Sequence, residues 1–335
     1  MKYRENPEFS WSYSRNSTFN SCARNYYYKN YAAHNGWLEN AKFDAKLAYR
    51  YKNMTTLQLT FGMAVHEAIK SYISSYLKKL DPTMEAFMRH IDDAMHDVCV
   101  KSLGIQQWKD FPKQNPMLHE VLYMGGFRAK EVKRIADDVK VKRNGVERCF
   151  LHARSMKELM EGHVQRVVEI DESIKDVTKG RFYYDVDGHE VCIWAKIDLL
   201  HVRDDGKWII TDWKTESKET HIRGDAYARV FFQQVLYAKY VHDKYKVPYE
   251  DIILRRSNIV IGQENEVPVD EEKVNMCLDR VRESVRAMRA YVEDANLDVN
   301  KPKEMHVFQQ AGNSPNCGVC SRCSYKHLCF GLPLE

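Results

Sequence analysis

Apolar and polar positions along the chain change their period near residue 162. Before it, Val65, Ile69, Tyr72, Ile73 and Tyr76 recur at helical spacing, predicting a helix over 62–80 that Asp81-Pro82 closes. Residues 83–162 continue in helical patterns, with a Pro/Gly-containing break near 104–116. Within 8–60, a stretch rich in Tyr, Asn and Lys, the spacing of Phe19, Cys22, Tyr26 and the tyrosines after it predicts a short helix with one buried face. Beyond 162 the runs turn β-branched and aromatic, predicting strands over 164–170, 181–186, 191–202 and 208–213. A helix over 225–245, a strand over 252–261 and an Arg-bearing amphipathic helix over 271–294 follow, and the tail from 301 is loop-like. That order predicts an α/β fold with a helical insertion, divided into segments 1–60, 61–162, 163–300 and 301–335.

Composition narrows this little. A chain of 335 residues with 44% hydrophobic residues builds an ordered core, and a net charge of +4 excludes a histone-like polycation. Without an apolar stretch of about 18 residues or an apolar N-terminal leader, the expectation is a soluble, cytoplasmic protein with no membrane contact. Of nine cysteines, Cys317, Cys320, Cys323 and Cys329 fall within thirteen residues, which in a reducing compartment favours metal binding over disulfides.

The most informative segment runs from Trp194 to Thr215. Two apolar strands flank Asp204-Asp205-Gly206, a three-residue hairpin loop with glycine at its left-handed position. Pairing Arg203 with Lys207 sets Asp198 opposite Asp212, and alternation puts Lys214 on the face of Asp212. Like charges facing each other in a sheet destabilise it, more so when buried. A bound Mg²⁺ or Mn²⁺ removes that conflict, and a lysine beside it can position a water or stabilise charge on a phosphate. Ordinary cross-strand ion pairs are the plainer alternative.

Asp198 followed by Asp212-Trp213-Lys214 resembles the D…(D/E)xK signature of the PD-(D/E)xK nucleases, and in particular their RecB-like branch with a four-cysteine iron–sulfur cluster, the CRISPR-associated exonuclease type. Gly62-Met-Ala-Val-His66 resembles that branch's G-x-x-x-H motif, and Gln233-Gln-Val-Leu-Tyr237 its Q-x-x-x-Y motif. Cys22 matches its lone N-terminal cysteine, and Cys320, Cys323 and Cys329 its C-terminal triad. Ala195 stands where the branch usually has glycine before the first aspartate.

The resemblance implies a restriction-endonuclease-like mixed sheet flanked by helices, with a helical insertion and a C-terminal cysteine-cluster loop. It implies a metal held by His66, Asp198, Asp212 and the carbonyl of Trp213, with Lys214 assisting the attacking water. His66 read alone is a core-edge histidine as readily as a ligand. Gln233 and Tyr237, sharing a helix face, would bond substrate phosphate or hold the lysine, or simply pack on the sheet. Glu169 reads as structural. Four thiolates from Cys22, Cys320, Cys323 and Cys329 suit [4Fe–4S] or Zn²⁺, and the resemblance favours the former; Cys317 is a spare thiol.

Arg24 with Tyr26, Tyr27 and Tyr28 is a candidate single-strand contact. The runs Arg128–Arg134 and Lys140–Arg143, and Arg280, Arg282, Arg286 and Arg289, are candidate phosphate contacts or solvated helix faces. The expected function is a metal-dependent DNA exonuclease acting on single strands or free ends in recombination, repair or CRISPR-type processing. Its rival is a silent DNA-binding subunit beside a helicase or an integrase-type partner; a virus-encoded setting fits equally.

Overall fold

The computed structural model describes residues 4–170, 180–221, 229–294 and 299–333. Helices α1 (Tyr13–Ser21), α2 (Ala23–Tyr27) and α3 (Phe43–Lys52) open the chain, with short strands β1 (Ser10–Trp11) and β2 (Met54–Thr55). The helical half holds α4 (Leu57–Leu77), α5 (Met84–Lys101), α6 (Ile105–Asp110), β3 (Met117–Leu118), α7 (His119–Tyr123), α8 (Lys130–Cys149) and α9 (Arg154–Met160). Strands β4 (Val164–Ile170), β5 (Arg181–Val186), β6 (His189–Trp194), β7 (Leu199–Arg203) and β8 (Trp208–Lys214) follow. The chain continues through α10 (Phe232–Tyr245), β9 (Ile252–Asn258), β10 (Gln263–Pro268), α11 (Glu271–Arg289) and α12 (Lys326–Phe330).

A five-stranded mixed sheet, ordered β10-β9-β8-β7-β4, forms the centre. β8 runs antiparallel to β7 and parallel to β9. Side-chain alternation splits the two cores across it. Leu200, Val202, Ile210 and Leu254 pack with α10 and α11. Leu199 and Trp213 pack on the other face with α4, α5, α8 and α9. The α/β class is as expected, and the β7–β8 register is the anticipated one, with Leu199 opposite Thr211 and Gly206 left-handed at φ +82°.

Local boundaries differ for physical reasons. The helix expected over 62–80 begins at Leu57, because the Thr56 side chain accepts from the Leu59 N–H and Glu120 accepts from the Leu57 N–H. The single short helix expected across Phe19, Cys22 and Tyr26 is broken at Cys22, whose extended backbone lets its sulfur cap the Asn25 N–H. The strand expected over 191–202 is two strands in different sheets. β6 pairs with β5 and β1, whereas β7 joins the central sheet. β10 was not anticipated, since its sequence is largely polar and its partner β9 supplies the ladder. The helix over 225–245 begins at Phe232, with 222–228 outside the described residues, and that over 271–294 ends at Arg289.

Candidate active site

The β7–β8 hairpin ends where α4 passes closest to the sheet. A Cβ on Gly62 would lie 3.4 Å from the Thr215 hydroxyl just beyond β8, an ordinary contact, so a methyl fits there. One turn later, His66 Nδ1 lies 3.3 Å from Asp198 Oδ1. Asp198 stands one residue before β7, and its Oδ2 accepts the Trp213 N–H at 2.9 Å. Asp212 and Lys214 share a face, with Nζ 2.6 Å from Oδ2. The structure therefore brings His66, Asp198, Asp212 and Lys214 to one strand end.

Their electrostatics are those of a crowded, mostly buried set. Burial pushes the Asp212 carboxyl up, and the nearby Asp198 charge adds to this, while Lys214 only partly opposes it. Burial also acts upward on Asp198, but the His66 and Lys214 charges and the Trp213 N–H outweigh it and hold that carboxyl low. Desolvation opposes protonated His66 and Lys214, yet their carboxylate partners leave both raised. Each carboxylate thus has its own internal cation.

Trp213, expected to offer its carbonyl, contributes its N–H to Asp198, while its side chain is buried and meets Phe150 at 6.5 Å between ring centroids. Gln233 donates to the Tyr237 hydroxyl across one helical turn, so the shared face is real. Its neighbour Gln234 is buried and donates to the carbonyls of Ile210 and Arg255 at 3.2 and 2.9 Å, tying α10 to β8 and β9. Glu169 sits opposite Leu200 on β4, where Oε1 accepts from Tyr240, Tyr245 and Lys244. It anchors α10, as its structural reading anticipated.

Sequence reasoning missed two arginines. Arg256 is the register partner of Asp212 and grips both oxygens of Glu216 at 2.8 Å. Arg255, its fully buried neighbour, binds Glu158 and Glu266 on the opposite face. The available signal was an Arg-Arg pair inside the apolar run Ile252–Ile261, where burial demands partners.

Cys22, Cys320, Cys323 and Cys329 line one small cavity of about 20 Å³ between the two ends of the chain. N–H groups aim at three of the sulfurs: Asn25 N at Cys22 (3.4 Å), Asn25 Nδ2 at Cys323 (3.5 Å) and Gln310 Nε2 at Cys329 (2.9 Å). Burial pushes the Cys323 thiol up to about 12, and the neighbouring sulfurs add to it. Cys317 adjoins Cys320, its thiol donating to the Ser314 carbonyl at 3.0 Å. Among the described residues, no three His, Cys, Asp or Glu side chains stand in a ready-made metal site. The soft donors and their N–H contacts nonetheless fit a thiolate-bound metal, as the oxygen-rich strand end fits a hard cation.

Tyr26 and Tyr28 are buried in the core and Arg24 is held by the carbonyls of Phe308 and His306, so that segment offers no free stacking face as a set. Arg143 is paired with Asp92 and Glu147, Arg282 with Asp279, and Arg286 with Asp187. Among the described residues, no helix is long and apolar enough to cross a membrane.

Two carboxylates and a lysine thus meet at the end of a central strand, in a mixed sheet covered by helices. The chain belongs to the PD-(D/E)XK nuclease superfamily, whose family model matches residues 10–330. No curated protein matches the chain.

Proposed function

We propose that the protein is a metal-dependent DNA exonuclease acting on single strands or free ends, in recombination, repair or CRISPR-type processing. The observation that carries this is the convergence of Asp198, Asp212, Lys214 and His66 at one strand end in a chain of this superfamily. Asp198, Asp212 and His66, with the Trp213 carbonyl, would hold Mg²⁺ or Mn²⁺. Such an ion supplies Lewis acidity to the scissile phosphate and acidifies an attacking water.

The chain's own groups do the rest. The Trp213 N–H orients Asp198, and it adds to the His66 and Lys214 charges that keep that carboxyl ionised against burial. The Lys214 ammonium, held against Asp212, is placed to stabilise negative charge gathering on the phosphate or to orient water. Gln233 and Tyr237 form a hydrogen-bonded pair suited to bonding phosphate or steadying that lysine. Cys22, Cys320, Cys323 and Cys329 would hold a [4Fe–4S] cluster, with Zn²⁺ the alternative, as a clasp between the chain ends. A helicase or integrase-type partner is part of the same reading.

The test is anaerobic purification, an absorption spectrum, and incubation with end-labelled single-stranded DNA in Mn²⁺ or EDTA. A brown protein that shortens the strand from an end only with metal is expected. A colourless, zinc-containing protein would replace the iron, and absence of cleavage with any divalent metal would overturn the nuclease.

A further inference from the structure

Helix α3 floors an open groove of about 840 Å³, walled by residues 36–39 on one side and 109–114 on the other. The floor is anchored from below. Tyr51 of α3 packs edge-on against Trp108 and Tyr325, with ring centroids 5.9 and 6.3 Å apart. Gly36 fixes one wall, because a Cβ there would run into the Ala45 carbonyl and the Tyr49 side chain. Trp37 rises from this wall, 45% exposed, touching Tyr49 edge-on; Phe111 rises from the other, 62% exposed. The groove is thus a formed feature with an aromatic ring on each side.

Its charge is one-sided. Lys46, Arg50, Lys52, Lys109 and Lys113 line it against only Glu39 and Asp110, a surplus of three cations. Among the described residues, none of the five is ion-paired. Lys46 Nζ donates to the Glu39 carbonyl at 2.5 Å and Arg50 Nε to the Lys109 carbonyl at 2.7 Å. Arg143, Arg282 and Arg286, by contrast, are already neutralised by carboxylates. Unneutralised cations between two open aromatic rings match a polyanion with free base faces. Duplex DNA offers the charge but keeps its bases stacked, and an acidic protein lacks the regular alternation of anionic groups and flat ring faces that a single strand brings to such a groove.

We propose that this groove is a binding track for single-stranded nucleic acid, with bases stacking on Trp37 and Phe111 and phosphates on Lys109, Lys113 and Arg50. The proposal rests on the nuclease reading and names where its strand runs. Lys52 leads through β2 directly into α4. Five residues of extended chain and nine helical steps put its Cα within about 32 Å of His66. At 3.4 Å per nucleotide of one strand, that is about nine nucleotides. A strand longer than this is therefore long enough to reach from the groove to the carboxylate site.

The test is a binding titration of a fluorescein-labelled 20-nucleotide oligothymidine in EDTA, across a salt series, on the full chain. Trp37→Ala/Phe111→Ala should weaken binding at least about tenfold. Lys109→Gln/Lys113→Gln should reduce the slope of log affinity against log salt by about 1.4. The charge-matched control Lys78→Gln/Lys79→Gln, on exposed residues just past the far end of α4, should leave affinity within about twofold, and circular dichroism melts should show that each variant folds. The lysine variant, altering only surface charge, keeps the test open if the aromatic variant melts early. Wild-type affinity and salt slope in both groove variants would overturn the proposal. So would an equal loss for a blunt duplex, which would make the groove a double-strand contact. Cleavage is read separately on wild type with Mn²⁺. A protein that binds through the groove but never cuts loses the nuclease reading alone, and one that cuts but ignores these substitutions loses the groove alone.

Discussion

Consecutive residues on β8 and β9 point to opposite faces of the sheet and meet opposite electrostatic fates. On the α9 face, Arg255 donates to Glu158 through two nitrogens, at 2.6 and 2.7 Å, and His201 lies 3.0 Å from the same carboxylate. Ser155 links Arg255 to the Thr211 hydroxyl. There every charge is matched; despite burial, these partners hold Glu158 down at about 2. On the other face, one residue along each strand, Asp212 stays raised, with Lys214 as its ion-pair partner and Asp198 nearby. Dense pairing makes a rigid buttress, whereas Asp212, whose carboxyl stays raised beside its lysine, marks a site that gains from an added cation.

The largest effect expected from breaking this contrast is on the open face. Asp212→Asn should lower metal-dependent cleavage by about a hundredfold or more while the melting temperature holds or rises, because it removes a like-charge clash. Gel-resolved time courses check it; near-normal cleavage would remove Asp212 from the mechanism. On the α9 face, Glu158→Ala leaves buried Arg255 with Glu266 as its carboxylate partner and should cost about 2–3 kcal/mol, lowering Tm by roughly 5 °C. Calorimetry that finds Tm unmoved would show the network to be idle.

Acid titration sharpens the same comparison. Because Glu158 is held below its ordinary 4.5, its contribution is complete above about pH 4.5 and is lost as pH falls toward 2. Burial also holds His201 below its usual range, so it adds a loss beginning below about 6.5. Urea midpoints should therefore fall between pH 6 and pH 3, and less steeply in Glu158→Gln; parallel slopes would contradict the assignment. The smallest effect belongs to Gly62→Ala. Its Cβ would make an ordinary 3.4 Å contact and relieve a helix-interior glycine, so stability should rise by about 0.5–1 kcal/mol with cleavage within a few-fold, whereas Gly62→Leu should push α4 away and cut activity more deeply.

How far the chain could be read in advance depended on where the information lay. The hairpin register followed from a three-residue loop and strict alternation, both local, so the ladder was read correctly up to Leu199 and Thr211, the neighbours of Asp198 and Asp212. The helix register that aligns Gln233 with Tyr237 was equally local. The split of the strand expected over 191–202 was not, because nothing in its apolar run marks where β6 leaves one sheet and β7 enters another. Tyr26 and Tyr28 illustrate the same limit: beside Arg24 they suggested a stacking surface, and packing against the rest of the chain buried them.

Sequence therefore determined the element types, the β7–β8 register and the cysteine spacing, since each is set by interactions within a few residues. Tertiary structure decided which charges became neighbours. Arg255 and Glu158 lie 97 residues apart, Asp198 meets a histidine from α4, and the sulfurs of Cys22 and Cys323 are joined through Asn25 across nearly the whole chain. Coulombic and hydrogen-bond partners are selected by distance in space, and only the folded sheet, with its faces alternating at every residue, fixes that distance.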